Sequence, residues 1–156
     1  GHVIDFKADD VMYCTLPLYH ATGIVVCWCG VIASSATLAI RRKYSTSSFW
    51  KDVQKFDASA IGYVGELCRY LMDVPEYELE KGHRVTKMIG NGMRPNIWDK
   101  FKARFGIEEV LELYASSEGN VGFSNVFNFD NTVGFSPTPY AVFQKLNLLM
   151  KSAPNK

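Results

Sequence analysis

No charge of one sign dominates this chain. Its 156 residues hold 17 Lys and Arg against 16 Asp and Glu, a formal net charge of +1, and no basic run exceeds Arg41-Arg42-Lys43. That balance excludes a nucleic-acid partner held by bulk electrostatics. Val3 to Asp10 is mixed and acidic rather than apolar, which does not read as a signal peptide. An initiator Met is lacking, so the chain is expected to be a processed, trimmed or partial piece. Several standard chemistries lack their motifs: there is no G-x-x-x-x-G-K-[ST] phosphate loop, no G-x-S-x-G nucleophile elbow, no H-E-x-x-H and no calcium loop.

What is present argues for a packed domain. The chain is 47% hydrophobic and 21% charged, which excludes disorder, and its length suffices for a core burying roughly 70% of the unfolded surface. The cysteines are Cys14, Cys27, Cys29 and Cys68. Cys27 and Cys29 are one residue too close for a C-x2-C knuckle, and no His stands near them. They read as reduced, core-packed residues of a cytoplasmic compartment.

Gly23 to Ile40 carries no charge and runs directly into Arg41-Arg42-Lys43. Its length and flank meet the minimum for a membrane span and leave membrane association open. Gly30, Ser34, Ser35 and Thr37 divide it, however, and the preferred reading is a buried helix running into a buried strand.

The rest alternates. Short apolar runs at Val11–Leu16, Thr37–Ile40, Ala58–Val64, Val85–Ile89 and Glu109–Tyr114 predict five strands, about one βα unit apart. Between them, Ser45-Thr46-Ser47-Ser48 offers an N-cap hydroxyl to a helix carrying Phe49, Trp50, Val53 and Phe56. Gly65-Glu66 opens a helix with Leu67, Tyr70 and Leu71 on one face. Pro95 sits at the first turn of a helix with Ile97, Trp98, Phe101 and Phe105, which Gly106 stops. The predicted class is α/β: a mainly parallel, doubly wound sheet with helices on both faces. After Glu118 the rhythm gives way to loops with short strands and a tail.

Ligands of open parallel sheets bind beyond the carboxyl ends of the strands. The clusters there are Pro17–Gly23, with Tyr19 and His20; Gly65-Glu66; Gly90-Asn91-Gly92-Met93-Arg94-Pro95; and Ala115–Asn120, with Ser116, Ser117 and Glu118 next to Tyr114. By topology these four could line one crevice. Gly90-x-Gly92 begins a dinucleotide-like fingerprint, but Pro95 holds the third glycine position. Bare backbone there admits a flat group, and the helix starting at Pro95 favours an anion. A carboxylate and hydroxyls beside an aromatic ring suit a Mg2+-nucleotide. His20 as a turn histidine and Glu118 as a solvated carboxylate are the plain alternatives.

The blocks Leu-Pro-Leu-Tyr-His (16–20), Tyr-Val-Gly-Glu-Leu-Cys-Arg-Tyr-Leu (63–71), Gly-Asn-Gly-Met-Arg-Pro (90–95) and Glu-Leu-Tyr-Ala-Ser-Ser-Glu-Gly-Asn (112–120) resemble, in this order, the adenylate-forming enzymes. Within them the chain is similar to the fatty acid transport protein branch, the long- and very-long-chain acyl-CoA synthetases. The resemblance covers residues 9 to 141 and leaves 142–156 as a divergent tail. It implies that 1–141 is part of a large AMP-binding N-terminal domain that uses ATP, Mg2+ and coenzyme A to convert a fatty acid to its acyl-adenylate and then its thioester. Carried over, Tyr114 stacks on adenine with Ser116 beside it, Ser117 bonds phosphate and Glu118 holds Mg2+. Gly90, Asn91 and Gly92 wall the adenine and acyl group; Tyr19, His20 and Gly23 lie by the carboxylate and the thiol-entry path. Ala115 and Ser117 replace the Gly and Thr of the wider family's Tyr-Gly-x-Thr-Glu motif. The family's phosphate loop would precede Gly1, and its ribose-binding aspartate, hinge and catalytic lysine would follow residue 141. The resemblance therefore implies an inactive piece of a ligase. The competing expectations are a non-catalytic, membrane-associated lipid-handling module and a plain nucleotide-binding α/β domain.

Overall fold

The computed structural model describes residues 6–116 and 122–134. In chain order the elements are β1 (Val11–Cys14), a π-helical stretch (Thr22–Trp28) that continues as α1 (Cys29–Ser34), β2 (Thr37–Ile40), α2 (Thr46–Lys55), β3 (Ala60–Val64) and α3 (Gly65–Asp73). A 3-10 turn (Glu78–Glu80), β4 (Lys87–Asn91), α4 (Pro95–Phe105), β5 (Glu109–Tyr114) and β6 (Phe123–Ser124) follow.

All six strands form one sheet in the order β2-β1-β3-β4-β5-β6. The first five are parallel, and β6 returns antiparallel on β5. The chain leaves β1 toward β2 and then crosses to β3, which makes the β1/β3 boundary the topological switch point where such sheets bind ligands. These two strands pair only at Met12–Ala60 and Tyr13–Ile61, so their ladder stops short of their carboxyl ends.

Side-chain alternation assigns the two faces of the sheet. On one, Tyr13 meets Phe49 of α2 edge-on at 5.3 Å, and Trp50 of α2 stacks on Phe105 of α4 at 4.7 Å. On the other, the π-helical stretch lies so close that a Cβ at Gly62 would overlap Cys27 Sγ. Helices thus cover both faces. Two polar ties brace the first layer. Asp52 of α2 accepts hydrogen bonds from the Tyr13 hydroxyl (2.8 Å) and from Arg41. Arg104 of α4 grips the fully buried Glu80 carboxylate through two nitrogens, at 2.6 and 2.8 Å, and also donates to the carbonyls of Met72 and Val74 at the end of α3.

Several local expectations need correction. Ser45 occupies the N-cap of α2, but its hydroxyl is spent on Ser47 and Ser48 rather than on a backbone N–H. Phe56 and Tyr70 point outward, and Cys68 joins Leu67 and Leu71 in the core instead. Cys29 is exposed, while the other three cysteines are buried and all four are free. The segment after Gly23 is a helix and then a strand, yet neither is buried throughout. Ile24, Val25, Trp28 and Ile32 form an exposed apolar stripe, and of β2 only Ala39 is buried. Among the described residues, no helix is long and apolar enough to cross a membrane. The end of α4 follows its sequence: Gly106 turns left-handed (φ 66°), and its N–H closes on the Lys102 carbonyl.

Candidate nucleotide and acyl site

The loops at the carboxyl ends of β1, β3 and β4 touch one another directly. Gly23 is tucked against the first loop so tightly that a Cβ there would overlap the Pro17 carbonyl. The neighbouring Thr22 donates its hydroxyl to Asn91 Oδ1 at 2.8 Å, joining the first cluster to the third. Gly65 packs on Gly92, where a Cβ would overlap the Gly92 carbonyl, and Gly90 packs likewise on the Tyr63 carbonyl. Gly92 itself has φ 82°, a conformation that favours glycine. Three glycines thus bring two turns into backbone contact.

Beneath the third cluster lies Glu112, 2% exposed on β5. Its carboxylate accepts hydrogen bonds from the Tyr63 hydroxyl and from the backbone N–H groups of Gly92 and Met93, the last at 3.2 Å. Burial raises the Glu112 pKa above the ordinary carboxylate value, and these donors pull it back in part. Burial and the facing carboxylate push the Tyr63 hydroxyl well up. In the turn before Pro95, the amides of Gly92 and Met93 are thus engaged by the Glu112 carboxylate.

Tyr114 ends β5 with its ring 54% exposed, tilted against Phe123 at 5.9 Å. A half-open ring at the rim of a sheet can accept a flat partner. Ser116 is exposed. Tyr19 and His20 are exposed and lie ring to ring at 4.6 Å. Ser117 and Glu118, the expected phosphate and Mg2+ residues, lie outside the described residues. Among the described residues, no group of three or more His, Cys, Asp or Glu is placed to hold a metal ion.

Thr22 and Glu112 are not singled out as site residues by the sequence. A signal for Glu112 exists: in EVLELY it shares the period-2 face of Val110, so a carboxylate falls on a core-facing position.

A parallel α/β sheet with its loops gathered at the carboxyl ends of the strands is a fold that many functions share. Similarity narrows the choice: residues 1–142 match the family model described as AMP-binding enzyme, and the chain belongs to that family. It is 45% identical over 141 residues to a medium/long-chain-fatty-acid–CoA ligase, FadD6, of Mycobacterium tuberculosis, across 90% of this chain and 24% of that protein. It is 40% identical over 142 residues to long-chain fatty acid transport protein 6 of Mus musculus, across 91% of this chain and 23% of that one. The chain thus spans less than a quarter of the length of these relatives. Its fold matches the N-terminal domain of FACL13 from Mycobacterium tuberculosis, with TM-score 0.69, 21% identity, and coverage of 84% of this chain and 34% of that one. It also matches ATP-bound MatB from Rhodopseudomonas palustris, with TM-score 0.70, 23% identity, and coverage of 84% and 26%.

Proposed function

We propose that this chain is the nucleotide- and acyl-facing segment of a long- or very-long-chain fatty acid–CoA ligase. In the reaction, a fatty acid carboxylate oxygen attacks the α-phosphorus of ATP, and pyrophosphate leaves. The thiol of coenzyme A then attacks the acyl carbonyl, and AMP leaves. Tyr114 stacks on adenine, with Ser116 at its edge. Ser117 donates to a phosphate oxygen, and Glu118 holds the Mg2+ that arrives with ATP; fixed donors and a cation stabilise the charge developing at phosphorus. Gly90, Asn91 and Gly92 wall the adenine and acyl group. Tyr19, His20 and Gly23 border the carboxylate and the path of the thiol.

The observation that carries this reading is the 45% identity to a fatty-acid–CoA ligase, across a segment whose loops are joined by the Thr22–Asn91 hydrogen bond and the Gly65–Gly92 contact. In this reading the chain alone forms no acyl-adenylate, because the phosphate loop, ribose-binding aspartate and catalytic lysine that the family's reaction uses are not among the residues assigned here. Long-chain fatty acid should drive ATP–pyrophosphate exchange by the full-length protein and not by the 156 residues alone. Exchange by the isolated chain would overturn the division of labour; none by the full-length protein would overturn the function.

One observation favours a second property, peripheral membrane association: the exposed stripe Ile24, Val25, Trp28 and Ile32, with Arg42 and Lys43 exposed beyond β2. Such a surface can lie on an anionic bilayer. Flotation with anionic vesicles should carry the protein upward, and a variant with Arg41, Arg42 and Lys43 changed to Glu should stay behind.

A further inference from the structure

The turn between β4 and α4 has the ordinary makings of a phosphate site: glycines, a strand end and a helix start. Two of its amides are already taken. The N–H groups of Gly92 and Met93 point inward onto Glu112, whose carboxylate also takes the Tyr63 hydroxyl. The exposed residues of the turn are Asn91, whose side chain Thr22 holds in place, Gly92 and Arg94.

We infer that Glu112 is a positioning residue: it holds Gly92 and Met93, and with them the turn that walls the base end of the nucleotide. The inference rests on the ligase reading above for the identity of the ligand, and on the three hydrogen bonds alone for the holding. Glu112 itself touches no substrate in this role.

The chemistry of the replacement makes the idea testable. Both backbone partners are donors that cannot reverse, whereas the Tyr63 hydroxyl can. In Glu112→Gln the carboxamide keeps one accepting oxygen and gains a donor, so one of the two N–H groups is left facing N–H. Tyr63→Phe removes only the reversible partner and leaves both amides held.

The test uses two readouts. In the 156-residue chain, amide hydrogen exchange is followed at Gly92 and Met93. In the full-length ligase, ATP–pyrophosphate exchange gives KM for ATP and kcat. Glu112→Gln should speed exchange at one or both amides at least tenfold, with Met88 and Ile89 of β4 unchanged. It should raise KM for ATP about tenfold, the cost of one unpaired buried donor, with kcat at saturating ATP within about twofold. Tyr63→Phe should stay within about twofold on every measure. If Glu112→Gln does not fold, Glu112→Asp, which keeps the charge but shortens the reach, takes its place in the same comparison. Unchanged amide exchange, or a fall in kcat with KM untouched, would overturn the inference. A full-length protein without pyrophosphate exchange would instead remove the ligase reading, and the amide data would still decide whether Glu112 holds the turn.

Discussion

Thr22 and Asn91, 69 positions apart, meet in a hydrogen bond of 2.8 Å from the threonine hydroxyl to the asparagine side-chain carbonyl. The bond is exposed and crosses the switch point of the sheet, joining the start of the π-helical stretch to the end of β4. Because both partners can turn to water, it orders two loops more than it stabilises the fold. Thr22→Val should cost no more than about 1 kcal/mol in urea unfolding. A loss above about 2 kcal/mol would mean that the contact is part of the core.

Gly65 in the site and Gly30 on α1 should respond oppositely to an added methyl group. Gly65→Ala drives a methyl group into the Gly92 carbonyl, backbone against backbone, and neither turn can yield without breaking the wall. It should destabilise the chain by about 3 kcal/mol or more. Gly30→Ala places its methyl 3.6 Å from the Phe6 ring, an ordinary contact, on α1. Helix propensity should then make it neutral or stabilising by up to about 1 kcal/mol. Thermal unfolding of the two variants separates these cases.

Glu80 and Arg104 form a buried two-point ion pair that ties α4 to the 3-10 turn. Removing one partner strands the other charge away from water. Glu80→Ala should cost about 3–5 kcal/mol in denaturant unfolding. A loss under about 1 kcal/mol would show that Arg104 finds another partner or reaches solvent.

His83 stacks on Trp50 at 4.5 Å, nearly parallel, and accepts the Val85 N–H at its Nδ1 (3.2 Å), with its Nε2 buried and unpartnered. Burial lowers its pKa below the ordinary 6.5. The unfolded chain therefore binds this proton first, and the His83 contribution to stability is complete above about pH 6.5 and is lost as pH falls toward the lowered value. Urea midpoints should decline from pH 7.5 to pH 5.5 in the natural chain and decline less in His83→Phe. Equal slopes would show that His83 does not carry the effect.

The fold was legible where local chemistry and position agree. The five parallel strands, Pro95 at a helix start and the Gly106 stop all follow from periodicity and backbone preference. The strand ends were less so: the run at 85 enters the sheet only at Lys87, because Arg84 and Val85 belong to the loop that carries His83. Burial along Gly23–Ile40 was misread, since hydrophobicity alone does not say which side of a helix faces a neighbour and which is left open. The loops of the site were named from their places at strand ends. Their joining was not, because Thr22–Asn91 and Glu112–Gly92 are long-range contacts that no local pattern encodes.

The proposed role of Glu118 in holding the Mg2+ of ATP makes adenylation by the full-length ligase depend on this one carboxylate. The direct measurement is fatty-acid-dependent ATP–pyrophosphate exchange by the full-length protein and its Glu118→Ala variant, both verified as folded. The account predicts a fall of about 100-fold or more. Exchange at the unaltered rate would contradict it.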